Sequence, residues 1–285
     1  MLKKYLMSII VVLSTFLLIF SSSTSYAKEN TPKNLKESKI EKLKLPADYL
    51  EQLDPIILED ILNNENIVEF DSSTTYTWSE EKQELIPELT ISKDGTEYFN
   101  DEDKVDGGVF NPFATIPTDK FSITIDVYSL VSSDNRKRKQ IYSRYEWYSA
   151  PAWLLYDPFG VAWSDKWRAT DNTSRKVDYY KSPSATNWTV HEDTNALAYS
   201  GAYGVGWDAN LYGWAVNDYT QLRGYGSISI ETISSSNPTG TDQIHTNYAH
   251  KKGTGTLGLT FAGIAVSVTG NADHDTRGNY KTFSY

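Results

Sequence analysis

The chain has 285 residues, no cysteine, 22% charged residues and a formal net charge of −10. The missing cysteine excludes a disulfide framework, a thiolate metal cage, a cysteine nucleophile and a lipidated cysteine anchor. The acidic balance argues against nucleic acid as a partner, and an apolar fraction of 39% is too high for a wholly disordered chain.

Residues 1–27 read as a secretory signal peptide. Lys3 and Lys4 precede two apolar runs, Ile9 to Leu13 and Phe16 to Phe20, and Ser25-Tyr26-Ala27 offers a small-x-small cleavage site. The apolar stretch is shorter than the ~20 residues of a spanning helix, so no stable transmembrane anchor is expected. The expected product is secreted and extracellular, starting at Lys28. A cysteine-free exported chain fits a Gram-positive style of secretion.

Charge is divided unevenly along the expected mature chain. Residues 28–119 carry 9 Lys/Arg against 22 Asp/Glu, a net of −13, whereas 120–285 carry 16 against 15. Seven of the eight Trp and fifteen of the twenty Tyr lie after Lys120. Such asymmetry suggests regions with different tasks. Residues 28–44 are polar and lysine-rich and read as a disordered arm. Residues 45–119 read as an acidic helical or irregular N-terminal region. Its apolar spacing predicts two short helices, about 47–53 and 55–64, the second opened by Asp54 as N-cap and Pro55 in the first turn. Strands are read at 74–78 and 86–91.

From Phe121 the apolar period becomes two. Phe121, Ile123, Ile125 and Val127 alternate with polar or smaller residues, and Ile141, Ser143, Tyr145 and Trp147 share one face of the next strand. Further strand-like runs are read at 158–163, 175–181, 186–191, 198–217, 225–233, 243–251, 254–262 and 263–269. The expected fold is mainly β: an antiparallel β-sandwich of roughly eight to ten strands over 120–285, preceded by the helical acidic region.

The run Arg144-Tyr145-Glu146-Trp147, Pro151, the stretch Asp157-Pro158-Phe159-Gly160-Val161-Ala162-Trp163 and the glycine-rich end resemble secreted proteins of Gram-positive bacteria. The resemblance covers about the last half of the chain. That group has no known active site, so the resemblance transfers no functional residue.

Sites with recognisable chemistry are few. His191-Glu192-Asp193-Thr194-Asn195 lacks the second histidine of a zinc protease helix. His245 and His250 fall on opposite faces of a strand. Asp273-His274-Asp275 has no nucleophile elbow to serve. Gly201 to Gly206 is Gly-rich without a βαβ context. Asp101, Asp103 and Asp106 form the one Ca²⁺ candidate, although the EF-hand spacing fails; no other cofactor is expected. Arg136, Lys137, Arg138 and Lys139 could meet an anionic polymer or headgroup. Trp153, Trp163, Trp167, Trp188, Trp207 and Trp214 are the candidate ligand platform, since planar aromatics stack on sugars and fill interfaces.

These residues point to a secreted, non-enzymatic β-sandwich protein that binds an extracellular or cell-surface ligand, carbohydrate or protein. Two alternatives stand beside it: a membrane-active β-hairpin toxin, and a secreted hydrolase with dispersed carboxylates. The hairpin at 254–269 bears on the first. Its apolar phase lasts about five residues per arm, short of the ~9–11 a spanning strand needs. It is therefore expected to pack into the sandwich core, burying Leu259, Phe261, Ile264 and Val266.

Overall fold

Alternating side chains decide which face of each strand is buried, and the protein assembles those faces into antiparallel sheets. The computed structural model describes residues 33–79, 84–92, 97–98, 116, 120–182, 184–211 and 221–285. The expected signal segment at 1–27 lies outside the described residues.

The larger sheet has nine strands. Along it run β3 (Glu97–Tyr98), β2 (Glu84–Ser92), β1 (Ile67–Ser79), β4 (Phe121–Leu130), β5 (Arg138–Trp147), β12 (Gln221–Thr232), β8 (Arg175–Lys181) and β9 (Thr189–Thr194), with β7 (Trp167–Ala169) paired to β12. A five-stranded sheet is ordered β10 (Tyr199–Gly201), β11 (Gly204–Asn210), β6 (Tyr156–Trp163), β13 (Thr241–Lys251) and β16 (His274–Ser284). The last two strands, β14 (Leu257–Ala262) and β15 (Ala265–Gly270), form a sheet of their own.

The two large sheets close over one core. Phe121, Ile123, Ile125 and Val127 of β4 meet Phe159, Val161 and Trp163 of β6, with Trp207, Ile228, Ile230 and Tyr248 around them. Burial of this aromatic and branched set is the main favourable term, at about 25 cal/mol per Å² of apolar surface removed from water. On the opposite face of the nine-stranded sheet, Tyr128, Tyr142 and Tyr225 form a second cluster with Phe70. It is covered by Leu43 of α1 (Lys33–Leu43), Tyr49 of α2 (Ala47–Gln52), Leu53, and Ile57 and Ile61 of α3 (Pro55–Asn63). Asp54 caps α3 by accepting from the Ile56 N–H at 2.7 Å, with Pro55 in the first turn as expected.

The sandwich and the two short helices therefore stand, with four differences. Residues 28–44 are not a disordered arm throughout, since 33–43 is helical: Lys and Glu are good helix formers, and Leu43 supplies an anchor. The acidic region contributes β1, β2 and β3 to the same sheet as β4, so that sheet crosses residue 120. The described part of the run 198–217 divides, with Ala202 and Tyr203 joining β10 to β11, and 212–217 lie outside the described residues. The glycine-rich end contains β16, whose mixed composition hid a strand paired with β13 from Lys251↔His274 to Thr241↔Ser284.

Candidate functional site: a hairpin docked on a glycine face

β14 and β15 make one register, Leu257↔Gly270, Leu259↔Val268 and Phe261↔Val266 on one face, and Gly258↔Thr269, Thr260↔Ser267 and Ala262↔Ala265 on the other. The first face is apolar and the second small or hydroxylic. Gly263 and Ile264 close the turn, and Gly263 has φ +56°, the left-handed geometry a two-residue hairpin asks of its first turn position.

The apolar face does not enter the inter-sheet core as expected. It lies on the outer face of the five-stranded sheet, with Leu259, Val266 and Ala162 buried and Tyr199, Phe261 and Val268 half-buried around them. Ile264, expected to be buried, is also only half-buried. The bed beneath is bare backbone: a Cβ on Gly160 would come within 2.9 Å of Leu259 Cδ1, and one on Gly201 within 3.2 Å of Phe261 Cδ2. That is the use of the Gly-rich 201–206 run. One hydrogen bond adds to the docking, from Asn247 Nδ2 to the Val266 carbonyl at 3.0 Å; the Tyr199 hydroxyl, which donates to Asp208 at 2.6 Å, lies beside the Leu257 carbonyl.

The root is held elsewhere. Asp157, wholly buried, accepts from the Lys251 N–H at 2.9 Å, the Tyr248 hydroxyl at 2.6 Å and His250 Nδ1 at 2.8 Å. Burial pushes the Asp157 carboxyl above its ordinary range, while the bonds from His250 and Tyr248 oppose that rise. Phe261 sits against Gly204, the partner of Ala162, whereas Tyr248 pairs with Phe159 near the root. The hairpin thus folds back from the Asp157 end of the sandwich toward the Trp163 end.

At the root end, the loop from Tyr148 to Tyr156 carries no charged residue and exposes Tyr148, Trp153 and Tyr156, with Trp153 at 49%. Trp153 is the one predicted platform residue with an exposed ring among those described. Trp163, Trp167 and Trp207 are core, because the two large sheets close over their aromatic bulk. Trp207 Nε1 donates to Ser174 Oγ at 3.0 Å and Trp167 Nε1 to Asp242 at 3.1 Å. Trp188 is half-buried, with the Arg223 guanidinium 3.9 Å from its ring centre. Trp214 and the Ca²⁺ candidates Asp101, Asp103 and Asp106 lie outside the described residues.

The basic run is largely engaged within the protein. Arg138 Nε donates to Glu231 at 3.0 Å, Arg136 Nη1 to the Thr232 and Ile233 carbonyls, and Lys139 Nζ to Asp71 at 2.7 Å. His191 sits on strand β9 rather than a helix. Buried Asp178 takes bonds from Tyr145, Lys176 and the Asn210 N–H, a structural rather than a solvent-facing carboxylate. Among the described residues, no group of three His, Asp or Glu could hold a metal ion, and no helix is long and apolar enough to cross a membrane.

No family profile and no curated protein matches the chain. Among solved structures, one titled a pore forming protein aligns at 10% identity over 58% of this chain and 86% of its own, with a TM-score of 0.30. The Clostridium perfringens NetB toxin in the membrane inserted form aligns at 8% identity over 57% and 90%, with a TM-score of 0.27.

Proposed function

We propose that this is a secreted, membrane-active protein that stores a hairpin on its sandwich and delivers it to a lipid bilayer. The observation that carries the reading is the hairpin itself. Residues 253–272 contain no charged side chain, in a chain that is 22% charged. Extended beyond the docked register, the arms 254–262 and 265–273 have nine residues each, the lower end of the ~9–11 a barrel strand needs, the second ending on charged Asp273 at its mouth. In that frame Leu257, Leu259, Phe261, Val266 and Val268 face lipid, and Thr254, Thr256, Thr260, Ser267 and Thr269 face a wet lumen, the dyad pattern of a transmembrane barrel. An open hairpin cannot span a bilayer, because its edges leave backbone groups without partners. Several copies must therefore close a barrel; eight strands, the smallest known, need about four.

The docked state suits storage. A sheet of only two strands is marginal in water without a packed face. Here one face rests on the glycine bed, which buries Leu259 and Val266 and half-buries Phe261 and Val268 until release. Released about its root, the hairpin extends past the Asp157 end, where the charge-free loop presents Trp153, Tyr148 and Tyr156. Such rings favour the headgroup level of a membrane.

A disulfide lock tests the reading. The Phe261 Cβ lies 3.5 Å from a Cβ built on Gly201, within disulfide range, and the chain has no other cysteine. The oxidised Gly201→Cys/Phe261→Cys protein should release no dye from liposomes, and reduction should restore release to the level of the two single variants. Release that is equal in the oxidised and reduced forms rejects hairpin insertion.

A further inference from the structure

The hairpin and the strands it grows from are out of register with each other. β13 and β16 pair as far as Lys251↔His274, and the Lys252 N–H then donates to the Asp273 carbonyl at 2.8 Å, which carries that ladder one pair further. The hairpin ladder opens at Leu257↔Gly270. Between the two lie residues 253–256 on the first arm and only 271–272 on the second. A ladder that simply continued from Lys252 and Asp273 would pair Leu257 with Val268, so the docked hairpin is shifted from it by two residues.

Glycines absorb the surplus. Gly253 and Gly255 have φ +148° and +116°, and Gly270 across the neck has φ +124°. The bend also presses backbone together. A Cβ on Gly255 would stand 2.8 Å from Asn271 Oδ1 and 3.0 Å from the Ala272 Cα, and one on Gly270 would collide with the Thr256 carbonyl oxygen. Torsion and space both exclude side chains at these positions. Folding the hairpin back onto its bed thus goes with the two-residue offset, and the offset depends on the glycines.

On the reading that the hairpin is released, we propose that release shifts its register by two residues and makes one uninterrupted ladder from β13 and β16 to the turn. A shift of two keeps every side chain on its own face, where a shift of one would exchange the faces. Leu257, Leu259 and Phe261 then meet Val268, Val266 and Ile264, three apolar cross-strand pairs. The docked register has two on that face, sets Leu257 against Gly270 and leaves Ile264 in the turn. Gly255 and Gly270 become partners in ordinary extended backbone. Gly263 takes the second turn position, which type I′ and type II turns both set at positive φ. The arms become 252–261 and 264–273, ten residues each, inside the ~9–11 of a spanning strand. What holds the docked register is the bed, where Leu259 lies over Gly160 and Gly206 and Phe261 over Gly201 and Gly204. Once those contacts are gone, the positive-φ neck has lost what compensates it.

Cysteine pairs placed in the full, cysteine-free chain read the register. Residues directly opposite lie about 4.5–5.5 Å apart and diagonal ones about 7–8 Å, outside disulfide reach. Leu259→Cys/Val268→Cys reports the docked register and Leu257→Cys/Val268→Cys the uninterrupted one. In solution the first pair should oxidise about ten-fold faster than the second, and on liposomes releasing dye the order should reverse. Gly270→Val, which the docked neck excludes and a strand favours, should bring the same reversal in dilute solution without lipid. Gly253→Val, whose Cβ meets nothing within 4 Å, opposes the neck by torsion alone and serves if Gly270→Val fails to fold. Reversal in a glycine variant with no dye release from liposomes supports the register shift and rejects the membrane reading. Faster oxidation of the 259–268 pair in both glycine variants, or on liposomes that are releasing dye, overturns the shift.

Discussion

Leu259 occupies the space that a side chain at residue 206 would fill: a Cβ on Gly206 would stand 2.8 Å from Leu259 Cδ1. The hairpin thus rests largely on main chain, with Ala162, Tyr199 and Asn247 supplying the sheet's side-chain contacts to it. Its docking depends on a few apolar contacts, chiefly those of Leu259, Val266 and Phe261.

Shortening Leu259 to Ala should therefore act locally. The buried side chain contributes about 2–5 kcal/mol by the range for such truncations, and its loss should raise amide exchange across 252–273 far more than in β4. Ile125→Ala, in the inter-sheet core, should lower global Tm and raise exchange everywhere. Equal exchange changes in both variants would show that the hairpin unfolds only with the sandwich. For Phe261→Ala, half-burial brings the expected cost down to about 1–2 kcal/mol, below that of a fully buried ring.

Stability should depend on pH through His245. Burial on the outer face of the five-stranded sheet pulls its imidazole down to about 4 from 6.5. The folded state therefore resists a proton that the unfolded chain accepts, so stability falls as pH drops from 6.5 toward 4. The full loss is roughly 3 kcal/mol, at about 1.36 kcal/mol for each pH unit between the folded and unfolded values. Chemical denaturation at pH 7 and 4.5 should show that slope in wild type and a flatter one in His245→Gln.

Iodide quenching should sort the tryptophans. Trp153 should be accessible and Trp163, Trp167 and Trp207 protected. Trp153→Ser should leave Tm nearly unchanged, since exposed substitutions stay within about 0.5 kcal/mol. It should also reduce vesicle retention several-fold. Unaltered retention would remove the loop from the membrane contact.

Gly226→Ala should be severely destabilising. The Trp207 indole packs directly on the Gly226 Cα, leaving no volume for a methyl group in a closed core. Soluble expression with a cooperative transition near the wild-type Tm would contradict that packing.

Period-two runs such as Phe121–Val127 and Ile141–Trp147 made the strands, their buried faces and the sandwich legible in the sequence, because one-sided burial leaves its mark in local order. The Asp54-Pro55 helix start and the hairpin at 257–270 were legible for the same reason, local chemistry. Other features depend on which strands meet. Whether a tryptophan fills a core or faces water is decided by the strand opposite, so Trp207 and Trp153 look alike until Gly226 is seen beneath one of them. The hairpin's alternation states that one face is apolar but not what covers it; only the approach of Gly160, Gly201, Gly204 and Gly206 places that face outside the core. Lys281 comes to one groove with the 136–139 run only because β16 of one sheet packs against β4 and β1 of the other, a long-range contact between segments whose separation in sequence no local pattern can encode.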